Sequence, residues 1–241
     1  MLRATGLRLL LLGALTCLCL APAAARAADN EPLPGEVRRA DISGALIDSL
    51  KLLGIEHAIR IGFQEKTRRE LPGPFWTDYR QSVRWPPQWE DTDSWLVNYV
   101  GHPLHGAAAG YIWIEHDPRS TRDEFGLSRG YWMTRWRSVA WSAGYSLQFE
   151  IGPLSEASIG NVGRDPKTTG WVDYVVTPGG GLAILLAEDA LDHFFIKWVE
   201  ERSTNRVARA SIRMLFNPAR TFANLAMNRA PWSRDGRSLS W

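Results

Sequence analysis

Cysteine is almost missing from this 241-residue chain, and its only two, Cys17 and Cys19, lie within the first 27 residues. Those 27 residues also lack any Asp or Glu. Arg3 and Arg8 lead into the apolar stretch Leu9 to Leu20, and Ala25-Arg26-Ala27 supplies a small-x-small cleavage site. This order of charge, apolar run and small residues is that of a secretory signal. A retained membrane anchor is the competing reading; Pro and Ala in the last third of the uncharged stretch favour cleavage. Thr16 and Leu18, the residues before Cys17 and Cys19, do not favour a lipoprotein. Removal of residues 1–27 leaves no thiol, which excludes a disulfide, a thiolate metal site and a Cys nucleophile. Export without disulfides points to a bacterial envelope, periplasm or outer membrane.

Other signatures are missing as well. There is no GxSxG and no HExxH, so neither a hydrolase elbow nor a zincin helix is present. Pro178-Gly179-Gly180-Gly181 is glycine-rich but lacks GK[ST], so it is no phosphate loop; it reads as a helix entry or a place of close packing. Too few alternating segments of about ten residues occur for an outer-membrane β-barrel. Strong charge of one sign is absent. The formal net charge is +2, and without the three Arg of residues 1–27 it is −1. With no zinc-finger, RNP or helix-turn-helix pattern, no nucleic-acid partner is expected. No cofactor is expected either.

What the chain does have is apolar bulk, 45% of its residues, and 12 Trp, all after residue 75. Such a composition builds a core. Residues 28–40 read as a flexible lead. From Asp41 to Phe63, Ile42, Leu46, Ile47, Leu50 and Leu53 form one stripe, an amphipathic helix with Asp41 as cap and Gly54 as an interruption. Residues 64–93 hold Pro72, Pro74, Pro86 and Pro87 among aromatics, which forbids a long helix and suggests an ordered surface connector. It ends in Glu90-Asp91-Thr92-Asp93, an acidic helix entry.

Residues 94–114 contain no Asp, Glu, Lys or Arg. That length approaches a bilayer span, but Asn98, His102, Pro103 and His105 are costly in lipid. A buried helix kinked near Pro103 fits as well, with Gly106 and Gly110 spaced for close helix approach. Residues 115–127 read as a charged loop. Residues 130–151 predict a second helix, with Trp132, Trp136, Val139, Ala140, Ala143 and Leu147 on one face; a strand pair is the alternative near Tyr145 to Ile151. Gly152 to Gly170 reads as a loop with a short apolar turn. A third helix follows at about 180–200. From residue 202 onward there are eight Arg against Asp235 alone, a net of +7, opposed to −8 over residues 28–201. Asn217-Pro218 breaks this segment, and Thr221 to Asn228 predicts a further short helix. The basic segment either packs on the acidic body or meets anionic lipid through Arg and Trp.

The chemistry-bearing residues fall into two groups. Asn98, His102 and His105 share the first core helix, Glu150 ends the second and Asp173 precedes the third. Polar groups inside a helical core must satisfy one another. Three readings compete: a structural network locking the helices, a metal site of His102, Glu150 and Asp173, and an acid–base pair for hydrolysis. The network reading is preferred, without a metal. Glu188, Asp189, Asp192 and His193 form the second group; Glu188-(x3)-Asp192 has ligand spacing, but a solvated helix face is the favoured reading. Ser142 and Ser146 lie near Glu150 by helical spacing, with no base fixed beside them.

Several of these residues recur in order. Asn98-(x3)-His102-Pro103-(x2)-Gly106, Ser146-(x3)-Glu150, Ser158, and Asp173-(x3)-Thr177-Pro178-(x2)-Gly181 resemble the pattern of a bacterial domain of unknown function, the DUF3943 type, between Trp95 and about Ala187. The ending Phe216-Asn217-Pro218-(x)-Arg220-(x)-Phe222-Ala223-Asn224, then Pro231-Trp232, is similar to a motif of related uncharacterised envelope proteins. The resemblance implies a small helical core in an exported protein, adds Ser158 to the network, and implies no known activity. Arg119 and Glu188 are loose counterparts of an Arg and a Glu in that pattern.

The resulting expectation is a mainly α fold: three small-residue-rich core helices, at 94–114, 130–151 and 180–200, with flanking amphipathic helices and an aromatic-rich connector. The division is 1–27 signal, 28–93 helix and connector, 94–201 core and 202–241 basic segment. The function expected is that of a membrane-associated, structural or scaffolding envelope protein whose partners are lipid or envelope components. The alternative is a hydrolase of lipid or cell-wall material using His102 with Glu150 or Asp173.

Overall fold

Asp41 starts the first helix as expected: its carboxylate accepts from the backbone N–H of Gly44 at 2.8 Å, satisfying one of the free donors of a helix N-terminus. That helix, α1 (Ile42–Phe63), runs past Gly54 without interruption, with Gly54 buried against its neighbours. These coordinates come from a computed structural model describing residues 39–71, 74–120 and 125–239. The signal reading of residues 1–27 and most of the flexible lead lie outside the described residues. Among the described residues there is no strand, so the mainly α expectation holds and the strand pair near Tyr145 to Ile151 is corrected to helix.

The proline-rich connector forms two short helices, α2 (Glu65–Glu70) and α3 (Phe75–Ser82). A π-helical turn, Val97–Gly101, leads into α4 (His102–His116). Pro103 explains the turn: it has no N–H to give, and a wider turn before it absorbs the missing bond. Next come α5 (Arg129–Ile151) and α6 (Glu156–Ile159). The third core helix, α7 (Trp171–Leu191), starts earlier than expected and carries Pro178 in its interior. Its first amides are met from outside, since Trp171 N–H donates to the Gln88 carbonyl at 3.0 Å and Val172 N–H to that of Trp89 at 2.9 Å. The connector thus caps α7, and Trp85 stacks on Trp171. A second π-helical turn, Asp192–Ile196, and α8 (Lys197–Arg202) prolong that axis. After it come α9 (Arg206–Phe216) and α10 (Pro218–Ala226), broken at Asn217-Pro218 as expected.

α4 is the axis of the bundle. α7, α5, α10 and α1 all pack around it. Its middle, Gly106 to Gly110, is made of Gly and Ala, and this shortness sets how near the others come. A Cβ on Gly106 would stand 2.0 Å from the Thr177 carbonyl oxygen, and one on Gly181 would stand 2.9 Å from the backbone of Gly106 and Ala107. Gly180, against Pro103, and Gly181 therefore serve close packing, the second of the two expected roles, while Gly179 faces outward. Ala45, Leu52 and Leu53 of α1 and Ala219, Ala223 and Ala226 of α10 join Ala107, Tyr111, Ile112 and Leu185 in one apolar cluster. The flanking helices thus share the core of the central trio.

Two of the surrounding helices, α1 and α5, do not turn their expected apolar stripes inward. On α5 the stripe of Trp136, Ala140 and Leu147 faces out, with Trp136 57% exposed, while Thr134, Arg135, Ser138, Ser142, Ser146 and Glu150 are buried. On α1, Ile42 is 56% exposed and Leu46 and Ile47 are also outside, while Asp48, Ser49 and Lys51 are inside. Of that stripe only Leu53 is fully buried. Small polar residues fit against the narrow α4, where Trp or Ile would hold the helices apart. Polar and apolar side chains therefore share the interior, while large apolar side chains of α1 and α5 face out.

Candidate functional site

One end of the bundle gathers the residues singled out from the sequence. His102 opens α4, Glu150 lies in the last turn of α5 and Asp173 in the first turn of α7. All three are buried, and one ligating atom from each lies within 4.8 Å of the others. His102 Nε2 is 3.3 Å from Asp173 Oδ1. Its Nδ1 faces Thr177 Oγ1 at 3.4 Å, and Phe149 meets the ring edge-on. The contact between His102 and Asp173 is not aligned as a hydrogen bond. Asp173 Oδ1, Glu150 Oε1 and Asn98 Oδ1 are all buried without a hydrogen-bond partner.

Two expected members of the network spend their bonds elsewhere. Asn98 lies in the π-helical turn, and its Nδ2 donates to Asp91 Oδ1 at 2.7 Å. Ser158 is fully buried, but it spends its bonds in a reciprocal cap with Ser155 at the start of α6. His105 faces Glu56 at 3.7 Å. Ser146 Oγ donates to the Asp173 carbonyl at 3.2 Å, and Ser142 Oγ has no partner. Neither hydroxyl is bonded to a base, so the arrangement offers no activated serine.

Sequence reasoning missed several neighbours. Asp91, read as part of a helix entry, is held by Asn98 and lies within electrostatic reach of Asp173. Glu156 pairs with Arg60 at 2.8 Å, and Tyr145 donates to Glu56 at 2.8 Å. The only signal for Asp91 was its place in an acidic run; nothing in the order of residues ties it to Asp173. A cavity of about 260 Å³ opens beside the trio, lined by His102, His105, Glu56, Glu156, Phe149 and Phe222 among others.

No family model, no curated protein and no solved structure matches the chain.

The second acidic group lies at the opposite end, and its reading as a solvated face is corrected: Glu188, Asp189 and Asp192 are buried. Asp189 accepts from Arg135 Nη2 at 2.6 Å, Tyr131 OH at 2.9 Å and Tyr111 OH at 3.2 Å. Glu188 accepts from the backbone N–H groups of Ala219 at 2.7 Å and Arg220 at 3.2 Å, the donors at the start of α10. A carboxylate suits the positive end of a helix. Asp192 meets Arg234 and Arg237, while His193 lies half-buried against Phe125 and Phe194. These partners come from distant segments, so local spacing could not reveal them. Arg119, the other loose counterpart, binds Asp117. Of the basic segment, Arg213, Arg220, Arg229, Arg234 and Arg237 pair with Glu200, Glu115 and Asp192. They pack on the acidic body.

Proposed function

We propose that the chain is an exported bacterial envelope protein embedded in a lipid bilayer, with a structural or scaffolding role among envelope components. The large apolar side chains that α1, α5 and α7 turn outward, with polar residues turned inward on α1 and α5, carry this reading. In water, apolar side chains gather inside; in hydrocarbon the penalty falls on polar groups, which then turn toward one another. From Trp171 to Trp198, along α7, its π-helical turn and the start of α8, the exposed positions are Trp171, Val175, Gly179, Ala183, Ala187, Leu191, Phe194 and Trp198, with the charged Glu201 and Arg202 exposed beyond them. None of those from Trp171 to Trp198 is charged, and at a rise of 1.5 Å per residue they cover about 40 Å, more than the ~30 Å hydrocarbon thickness. The stretch Pro166–Arg202 is long and apolar enough to cross a membrane, and only 33% of its most apolar window is buried inside the protein. Trp85 and Trp171 at one end and Trp198 at the other suit the two interfaces. The signal-like first 27 residues and the DUF3943-type resemblance support export.

Produced with its first 27 residues in a Gram-negative host, the protein should sediment with membranes, stay there in alkaline carbonate and need detergent for release. Recovery in the soluble periplasmic fraction would overturn the reading.

The cavity beside His102 favours a second reading, hydrolysis of a lipid or cell-wall substrate with His102 as base and Glu150 or Asp173 assisting. Ester or glycoside turnover that His102→Asn abolishes would support it; turnover unchanged by that substitution would sink it.

A further inference from the structure

We infer that His102, Glu150 and Asp173, with Asp91 beside them, bind one divalent transition-metal ion. The inference rests on the polar interior alone and holds whatever covers the outer surface.

The first argument is the excess of acid. Asp91, Glu150, Glu156 and Asp173 lie within electrostatic reach of one another, with Arg60 as the nearby cation, and Arg60 is bonded to Glu156. Asp91 and Asp173 act on each other as like charges, and clustered carboxylates are eased by a proton or a cation. Buried charge without such compensation is expensive.

Geometry gives the second argument. Glu150 Oε1 and Asp173 Oδ1 are buried, and neither has a hydrogen-bond partner. His102 Nε2 stands 3.3 Å from Asp173 Oδ1 without a hydrogen bond between them. Ligands of a tetrahedral ion with bonds of about 2.0–2.2 Å are spaced by about 3.4 Å. The His102–Asp173 edge is already close to that value, and one ligating atom from each of the three residues lies within 4.8 Å of the others.

The surroundings supply the third. A metal-bound imidazole ordinarily gives its other N–H to a fixed acceptor, which sets its tautomer and ring plane. Thr177 Oγ1 stands at His102 Nδ1 in that role, leaving Nε2 free to ligate. One imidazole with carboxylates suits zinc, manganese or ferrous iron better than the all-oxygen preference of calcium or magnesium. The cavity lined by His102 gives the ion a path.

The test uses the full chain, purified in detergent and stripped with a chelator. Titration with Zn²⁺ should show one equivalent bound per chain. His102→Ala, Glu150→Gln and Asp173→Asn should each weaken binding at least tenfold, and Thr177→Val about 10–100-fold. Glu201→Gln, on the exposed end of α8, should change nothing. Absence of stoichiometric binding, or equal affinity in ligand variants that keep the wild-type helical circular dichroism, would overturn the inference. If those variants fail to fold, Co²⁺ in the wild-type protein decides. Intense visible bands of a four- or five-coordinate ion support the site, and the weak spectrum of hydrated Co²⁺ refutes it.

Discussion

Where α4 ends, each buried acid has found a partner; where α4 begins, two keep an oxygen without one. At the first end Asp189 holds Arg135 and two tyrosines, Glu188 caps α10, Asp192 holds two arginines, and Asp48 is bonded to His116 and Lys51 at 2.8 Å each. At the other end Glu150 and Asp173 each keep a buried oxygen unbonded. Both ends are made by the same helices and the same chain economy of small residues. The difference teaches that burial of acids alone does not mark a working site. Incomplete satisfaction marks it, because folding would otherwise have supplied the missing donors.

The largest effect should come from breaking the satisfied end. Arg135→Ala leaves Asp189 buried without its cation and should lower stability by about 3–5 kcal/mol, read from denaturation of the detergent-solubilised protein. A loss near zero would mean that the two ends are alike. His102→Ala should come next, at about 1–3 kcal/mol, by removing the group facing Thr177 and Asp173. An unchanged melting temperature would show the imbalance to be harmless. Glu150→Gln sharpens the contrast by its sign. Without metal it should raise stability by about 1 kcal/mol, because a buried charge that lacks a counter-charge is relieved. With saturating Zn²⁺ the same change should lower it. A decrease in both conditions would place Glu150 in an ordinary structural network.

The smallest effect belongs to Arg119→Ala, expected within about 0.5 kcal/mol because the Arg119 side chain is half-exposed against Asp117. Asp117 lies at the end of α4. Burial pushes its carboxyl up, but Arg119 and Arg137 outweigh burial and hold it below the ordinary range. The folded value is thus below the unfolded one. Its contribution is fully present above about pH 4 and is lost as pH falls through the lowered value. Acid denaturation of Asp117→Asn should show a weaker dependence in that window than the wild type.

The helix positions were legible in the sequence because periodicity, caps and prolines act locally. Asp41 announced α1, and Asn217-Pro218 announced the break between α9 and α10. The trio of His102, Glu150 and Asp173 was legible too, since polar residues in charge-poor helices are costly enough to stand out. Orientation was not legible. The stripe on α5 with Trp136 and Leu147 is as evident in the residues as in the coordinates, but a stripe says only that two faces differ. Which face turns inward depends on the medium outside and on how narrow the central helix is. Asp91 and the Arg135–Asp189 pair escaped for another reason: both are contacts between segments far apart in the chain.

The π-helical turn at Val97–Gly101 has a consequence for how this site could arise and be lost. Such a turn amounts to one residue more than a regular helix needs. Deleting a single residue there would restore conventional winding while leaving the helix on either side in its present phase. The residue lost would come from the stretch that carries Asn98, whose amide holds Asp91. The irregularity just ahead of Pro103 is therefore a place where ancestry can gain or lose one codon and alter the tether of the acid cluster without turning the helix that organises it.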